Sequence, residues 1–162
     1  ELGITYTWLA GSLTGRGWPY FNLLWPYSLL GTLAAIYLSP RINLFMLGEE
    51  VGKNLGLSIE SSRLLIILNA SILAGSAVSV AGTIGFIGII APHLARMMIG
   101  NDYRYLIFLS GILGGLLLVV GDTLARILFQ PLEIPVGIIT AILGAPFFFF
   151  LLNQKRSNLL SS

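Results

Sequence analysis

Few side chains in this 162-residue chain could carry out chemistry, because it has seven acidic and nine basic residues, one histidine and no cysteine. The lack of cysteine rules out a thiolate metal site, a cysteine nucleophile and a disulfide scaffold. His93 has no carboxylate nearby in the sequence, which makes it a poor metal site. Glu49 and Glu50 are adjacent, so a helix would point them about 100° apart, a poor geometry for paired acid–base catalysis. We therefore predict no catalytic residue and no metal ligand.

The segment 121–135 holds three charges that could bind a partner. Asp122 and Arg126 are four residues apart and could pair along a helix, and Glu133 follows them. The ordinary interpretation is an intrahelical ion pair at the end of a helix. The functional interpretation is that Arg126 meets an acidic partner, because its guanidinium matches a carboxylate. A rival hypothesis is a small ion carrier or intramembrane enzyme in which these three residues form a buried functional cluster.

The segment 41–63 could bind a soluble protein or lie on a membrane surface. Val51 and Leu55 are four residues apart, so a short helix would place both on one face. Glu49 and Glu50 suit the start of such a helix, where negative charge is favourable. An amphipathic loop on lipid headgroups fits this pattern as well as a docking segment does.

The composition predicts that these residues are positioned by membrane helices. Of all residues, 56% are hydrophobic and 10% are charged, against about a quarter charged in a soluble domain. The net charge of +2 and the lack of a basic run argue against nucleic-acid binding. We predict an all-α integral membrane protein with five spans, at about 22–38, 63–81, 83–97, 104–124 and 135–152.

The apolar run 64–95 is the least obvious part of this assignment. It has 32 residues without a formal charge, which is long for one span and short for two. If it crosses twice, seven of the nine basic residues fall on one side, and Arg16 and Arg126 fall on the other. That asymmetry fits the excess of Lys and Arg in cytoplasmic loops. Two crossings require one short helix, with a tight turn at the glycines 82, 85 and 88.

This topology predicts how the chain is organised. Residues 1–21 form an outer-face segment, and 22–152 form the transmembrane domain with a cytoplasmic loop at 40–62. Residues 153–162 form a cytoplasmic tail. The first residue is Glu rather than Met, from which we expect a processed or truncated chain.

Four ordered motifs resemble the permease subunits of iron-siderophore, haem and cobalamin ABC importers, the FecCD family. The motifs lie at 79–96, at 122–126 with 133–141 and 144–147, at 47–50 with 55–56, and at 8–13. The resemblance covers nearly the whole chain in the expected order. It implies that the chain is the C-terminal half of a ten-span permease, with the N-terminal half missing.

The resemblance also implies the partners. Two permeases, alike or different, would stand on two ATPase subunits, which bind and hydrolyse the ATP, so the permease itself would be no enzyme and would bind no cofactor. The loop between the first two spans would fold as two short helices that dock into the ATPase. The implied coupling residues are Leu47, Gly48, Glu49, Glu50, Val51, Leu55 and Gly56.

At the outer face, the resemblance assigns Arg126 and Glu133 to contact with a periplasmic or lipoprotein substrate-binding protein. The implied location is the bacterial inner membrane, as a multi-pass protein. The implied cargo is a ferric siderophore, with haem and cobalamin as alternatives that the residues do not separate. A split half-permease without transport of its own is a further interpretation.

Overall fold

The computed structural model describes residues 10–128 and 134–160, with side chains for 10–48, 50–128 and 134–149. All regular structure in these ranges is α-helical, which confirms the predicted fold class. The helices are Trp18–Met46 (α1), Glu49–Asn54 (α2), Ile59–Ala81 (α3), Ile87–Ile99 (α4), Tyr103–Leu128 (α5) and Val136–Leu160 (α6).

Three of the helices, α1, α3 and α5, are long and apolar enough to cross a membrane. The helix α4 and the portion Val136–Phe149 of α6 are shorter apolar segments. Each of the five predicted spans coincides with one of these five helices, although the bounds differ. The largest difference is in α1, which we expected to end before Pro40 and which continues to Met46.

A side-chain hydrogen bond explains why α1 continues through Pro40. A proline in a helix has no N–H to donate to the carbonyl four residues earlier, here that of Ile36. The hydroxyl of Ser39 donates to that carbonyl over 2.6 Å, and Ser39 is fully buried. The freed carbonyl is therefore satisfied inside the protein, as the interior of a membrane requires.

The run 64–95 contains two helices, as predicted, separated by the non-helical residues 82–86. Gly82 has φ 73° and ends α3, which is a backbone conformation that glycine adopts without strain. Phe86 has φ 66° just before α4, which is a strained conformation for a bulky side chain. At 13 residues α4 is about 20 Å long, shorter than the hydrocarbon layer of about 30 Å.

Backbone hydrogen bonds tie the segment before α1 to this break and to the start of α6. The N–H of Ser12 donates to the carbonyl of Ala81 over 2.9 Å, and the N–H of Gly137 donates to the carbonyl of Gly11 over 3.1 Å. Gly11 has φ 73°, and a Cβ there would lie 2.5 Å from the carbonyl oxygen of Thr83. We call these five residues the glycine junction, which joins the start of the described chain, the α3–α4 break and the start of α6.

A second close approach lies further along α6. A Cβ added at Gly144 would overlap the Cβ and ring of Phe86, so the lack of a side chain there lets α6 reach the break. On its other side α4 packs on α5, with Ala91 and Ala95 almost fully buried. Small residues thus bring three helices together, which is a common means of packing in membranes.

We predict that Gly144→Ala lowers the stability of the protein, because the new methyl group overlaps Phe86 and forces α6 or the break to shift. The expected loss is about 1–3 kcal/mol, the usual cost of overpacking. The measurement is the thermal unfolding midpoint of purified protein in detergent. Gly75→Ala is the matched control, because a Cβ at Gly75 meets nothing within 4 Å. Equal midpoints for the two variants would contradict the packing described for Phe86.

Candidate functional site

The segment between α1 and α3 forms the first candidate site. After Met46, the N–H groups of Leu47 and Gly48 bond to carbonyls in the last turn of α1, over 3.1 and 3.2 Å. Gly48 then adopts φ 105°, which turns the chain into the six-residue helix α2. Gly56 closes α2 with φ 80°, and its N–H donates to the carbonyl of Lys53 over 2.9 Å.

One face of α2 lies against α3. Gly52 is buried, and a Cβ there would lie 3.1 Å from Cδ1 of Ile59 in the first turn of α3. This contact leaves the apolar side chains of Leu47, Val51 and Leu55 on the outside, exposed to 65%, 42% and 65%. We call these three residues the apolar ridge. Exposed apolar side chains on a short helix between two membrane-length helices form a surface suited to a protein partner.

The remaining predicted coupling residues surround the apolar ridge. Glu50 is exposed, and Gly48 and Gly56 form the turns at the two ends of α2. Lys53, which is not among the predicted residues, is also exposed. Glu49 begins α2, but its side chain lies outside the described part of the structure. The segment contains one separate short helix rather than the two implied by the resemblance. The first piece is instead continuous with α1, because the helix persists through Pro40 until the turn at Gly48.

A polar cluster joins the end of α1 to the start of α5. Nδ2 of Asn43 donates to Oδ1 of Asp102 over 2.9 Å, and Oδ1 of Asn43 accepts from the N–H of Tyr103 over 3.0 Å. Oδ1 of Asp102 also accepts from the N–H of Arg104 over 3.0 Å. We call these four residues the α1–α5 clasp. It satisfies two of the N–H groups that the first turn of any helix leaves without partners.

Hydrogen bonds to the Asp102 carboxylate, from the N–H of Arg104 and then from the amide of Asn43, hold the pKa of Asp102 below its ordinary value. Asp102 is therefore ionised at neutral pH and remains an acceptor. Because this pKa is lowered, the contribution of the clasp to stability is kept at neutral pH. It is lost as the pH falls through the lowered pKa.

Two residues to which the sequence assigned no role have partners, and one of them, Arg96, contacts this cluster. Nη2 of Arg96 donates to the hydroxyl of Tyr103 over 3.1 Å, and that hydroxyl lies 4.0 Å from Sδ of Met46. His93 packs edge-on against the ring of Phe147 in α6, with 5.9 Å between centroids. Within residues 10–128 and 134–160, the structure places no group of three His, Asp or Glu residues that could hold a metal ion.

The second candidate site lies at the far end of α5. Nε of Arg126 is 2.7 Å from Oδ2 of Asp122, and Nη2 is 3.5 Å from Oδ1, so the predicted intrahelical pair is present. The Arg126 side chain is nevertheless 56% exposed, against 22% for Asp122. Glu133, the other predicted contact residue, lies outside the described residues.

Packing against α6 fixes the direction in which Arg126 points. Ala125 and Val136 are almost fully buried, and a Cβ at Gly121 would lie 3.6 Å from Cγ2 of Val136. The face of α5 that carries Gly121 and Ala125 therefore lies against the start of α6. Arg126 follows Ala125 and turns away from this contact towards the outside of the helix pair.

Comparison with known proteins places this arrangement in a family. The sequence model of the FecCD transport family matches residues 2–154. The chain belongs to the FecCD transport family. Its family is a transport permease family, and its apolar helices are those of a multi-pass membrane protein.

The FecCD relatives include permeases named for the transport of ferric citrate and of hemin. The chain is 44% identical over 152 residues to the Fe(3+)-citrate import system permease protein YfmE of Bacillus subtilis (strain 168), covering 94% of this chain and 46% of that protein. It is 41% identical over 153 residues to the hemin transport system permease protein HmuU of Yersinia pestis, covering 92% and 45%. The chain thus spans about half the length of the relatives it matches.

A solved structure supports the same fold. It is an ABC transporter, of the metal-chelate type by its description, in an inward-facing conformation. The two structures superpose with a TM-score of 0.88 at 34% sequence identity, over 94% of this chain and 50% of the other. The two chains therefore share the fold of the matched residues, which make up half of the other chain.

Sequence reasoning missed the α1–α5 clasp. Asp102 directly before an apolar run is a recognisable helix-start signal, because aspartate is a favoured N-cap residue. Nothing local identifies Asn43, because its partner Asp102 is 59 positions away in the sequence.

We predict that Asp122→Asn lowers the stability of this FecCD protein by no more than about 0.5 kcal/mol, because exposed pairs spaced i,i+4 are worth about 0.3–0.5 kcal/mol. The small difference should disappear at about 1 M salt, where charges are screened within about 3 Å. The measurement is the thermal midpoint in detergent at low and high salt. A large, salt-independent loss would show that the pair is a buried structural element instead.

Proposed function

We propose that this chain is the C-terminal half of the permease subunit of a binding-protein-dependent ABC importer. Its cargo is a ferric siderophore, or a related chelate such as haem or cobalamin, carried across the bacterial inner membrane. The permease provides the path and performs no catalysis, and ATP is bound and hydrolysed on a separate ATPase subunit. Membership of the FecCD family supports this proposal, as do relatives that are named as ferric citrate and hemin permeases.

The apolar ridge is the observation that carries the proposal. Apolar side chains on this loop suit either lipid headgroups or a protein partner, and membership of the FecCD transport family favours the protein partner. Here Val51 and Leu55 point away from α3 while Gly52 faces it. An ATPase subunit with an apolar groove would cover the ridge, with Glu50 at its edge. The asymmetry of the basic residues predicts that this loop is cytoplasmic, so the contact would occur on the cytoplasmic side.

Arg126 is the proposed contact for the binding protein at the opposite end. Its pair with Asp122 is exposed and contributes little free energy, so a carboxylate on a partner would compete with Asp122 for the guanidinium. The positive charge of an exposed arginine also steers the approach of an acidic partner surface. Glu133 is proposed to take part in the same contact.

The rival hypothesis of an ion carrier needs Asp122 and Arg126 at mid-depth in the membrane. They lie in the last two turns of the 26-residue helix α5, and Arg126 is more than half exposed. This position supports a location at the outer rim of the protein rather than in a buried functional cluster. The proposed importer also contains a second permease subunit, which is either identical to this one or different.

We predict that Val51→Asp with Leu55→Asp abolishes co-purification of the full-length permease with its ATPase subunit. Placing charges where apolar anchors enter a groove costs about 2 kcal/mol or more at each anchor, which weakens association more than tenfold per site. The measurement is the amount of ATPase retained on tagged permease in detergent. Glu49→Ala with Glu50→Ala tests separately whether the two glutamates add to the contact.

Asn54→Ala is the matched control, because Asn54 is an exposed polar residue on the same short helix. It should retain the ATPase fully, and all variants should keep the thermal midpoint of the wild-type permease. Undiminished retention by the double aspartate variant would contradict the docking role of the apolar ridge. Failure of the wild-type permease to retain any ATPase would contradict the importer assignment itself.

A further inference from the structure

We propose that Asn43 is a positioning residue that transmits movement of the coupling segment to α5, and through α5 to the outer end at Arg126. The inference rests on the proposed function, in which the ATPase moves the apolar ridge. It assigns a role to a side chain that touches neither the ATPase nor the cargo in that proposal.

The location of Asn43 is the first step of the argument. It lies on the last turn of α1, four residues before Leu47 at the start of the apolar ridge. Force applied to the ridge therefore reaches Asn43 through one turn of continuous helix. Met46 lies on the same turn and approaches the hydroxyl of Tyr103.

The bonds of Asn43 are the second step. Its amide donates to Asp102 and accepts from the N–H of Tyr103, over 2.9 and 3.0 Å. The N–H groups of Tyr103 and Arg104 open α5, and they are satisfied by Asn43 and Asp102 respectively. The cap of α5 is thus shared with another helix, so a shift of α1 relative to α5 breaks the bond from the N–H of Tyr103 to Asn43 and the bond from Asn43 to Asp102.

The form of α5 is the third step. Helices kink at proline and at Gly/Ser pairs. Proline occurs inside α1, α4 and α6 but not among the 26 residues of α5, which runs as one continuous helix through Ser110–Gly111 and Gly114–Gly115. From Tyr103 to Arg126 the helix rises about 35 Å at 1.5 Å per residue. A displacement at its first turn is therefore carried to its last turn, where the ion pair with Asp122 lies.

The chemistry of the clasp provides a selective test. Asn43→Asp removes the amide donor and sets a second carboxylate against Asp102, so the two side chains repel. Asp102→Asn removes the ionised acceptor of the pair. Making both changes together restores one amide and one carboxylate at the same two positions. The donor to the carboxylate and an acceptor for each N–H of α5 are then present again.

The experiment uses the complete transporter, with its ATPase and binding protein, in lipid nanodiscs. The readout is the ratio of ATP hydrolysis with cargo-loaded binding protein to hydrolysis without it. Asn43→Asp is expected to lower this ratio at least about fivefold, the lower end of typical coupling between sites. The exchanged pair, Asn43→Asp with Asp102→Asn, is expected to recover most of it. The matched control is Asn101→Ala, which changes the exposed residue directly before Asp102 and should leave the ratio unchanged.

Assembly is measured on the same samples by retention of the ATPase on tagged permease. An unchanged ratio in Asn43→Asp would overturn the proposal, and so would an exchanged pair that assembles yet behaves no better than the single variant. If the single variants assemble poorly, the exchanged pair alone decides the matter. A wild-type permease that retains no ATPase would refute the importer function, a result distinct from failure of the clasp.

Discussion

The glycine junction is the constraint on which the rest of the structure depends. A chain that turns back within an apolar run exposes backbone N–H and C=O groups, and hydrocarbon offers them no partners. The N–H of Ser12 bonds to the carbonyl of Ala81 at the edge of the break between α3 and α4, and the N–H of Gly137 bonds to the carbonyl of Gly11. Gly11 lacks a Cβ, so this segment can lie close to Thr83 in the break. Because other parts of the protein pack against this break, α4 can be short. The segment before α1 and the start of α6 are held together at the end of the helices where the break lies.

The junction leaves the two candidate sites at opposite ends of the helices. The apolar ridge follows α1 directly, and Arg126 lies in the last turn of α5, close to the start of α6. The helix α5 connects these ends without a proline. The arrangement suits the proposed importer subunit, in which one end would receive mechanical input and the other would receive a loaded partner. The chain belongs to the FecCD transport family, which supports that proposal.

Local patterns allowed most of the helices to be predicted from the sequence. The apolar runs located five helices, and the spacing of Asp122 and Arg126 predicted their ion pair. Of the three glycines predicted to form the turn, Gly82 and Gly85 lie in the break and Gly88 lies inside α4. Two contacts were not predicted. The hydroxyl of Ser39 bonds to Ile36 only three residues away, but a serine before a proline does not by itself predict that the helix continues. Asn43 meets Asp102, 59 positions away, only after the chain has folded.

The most direct test of this account is whether the apolar ridge and Arg126 face opposite sides of the membrane. The chain contains no cysteine, so Asn54→Cys and Ile127→Cys each introduce one labelling site within it. In intact bacterial cells, or in spheroplasts where an outer membrane blocks access, an impermeant maleimide should label Ile127→Cys. Asn54→Cys should be labelled only after the inner membrane is opened. Labelling of both positions from the same side would contradict the account.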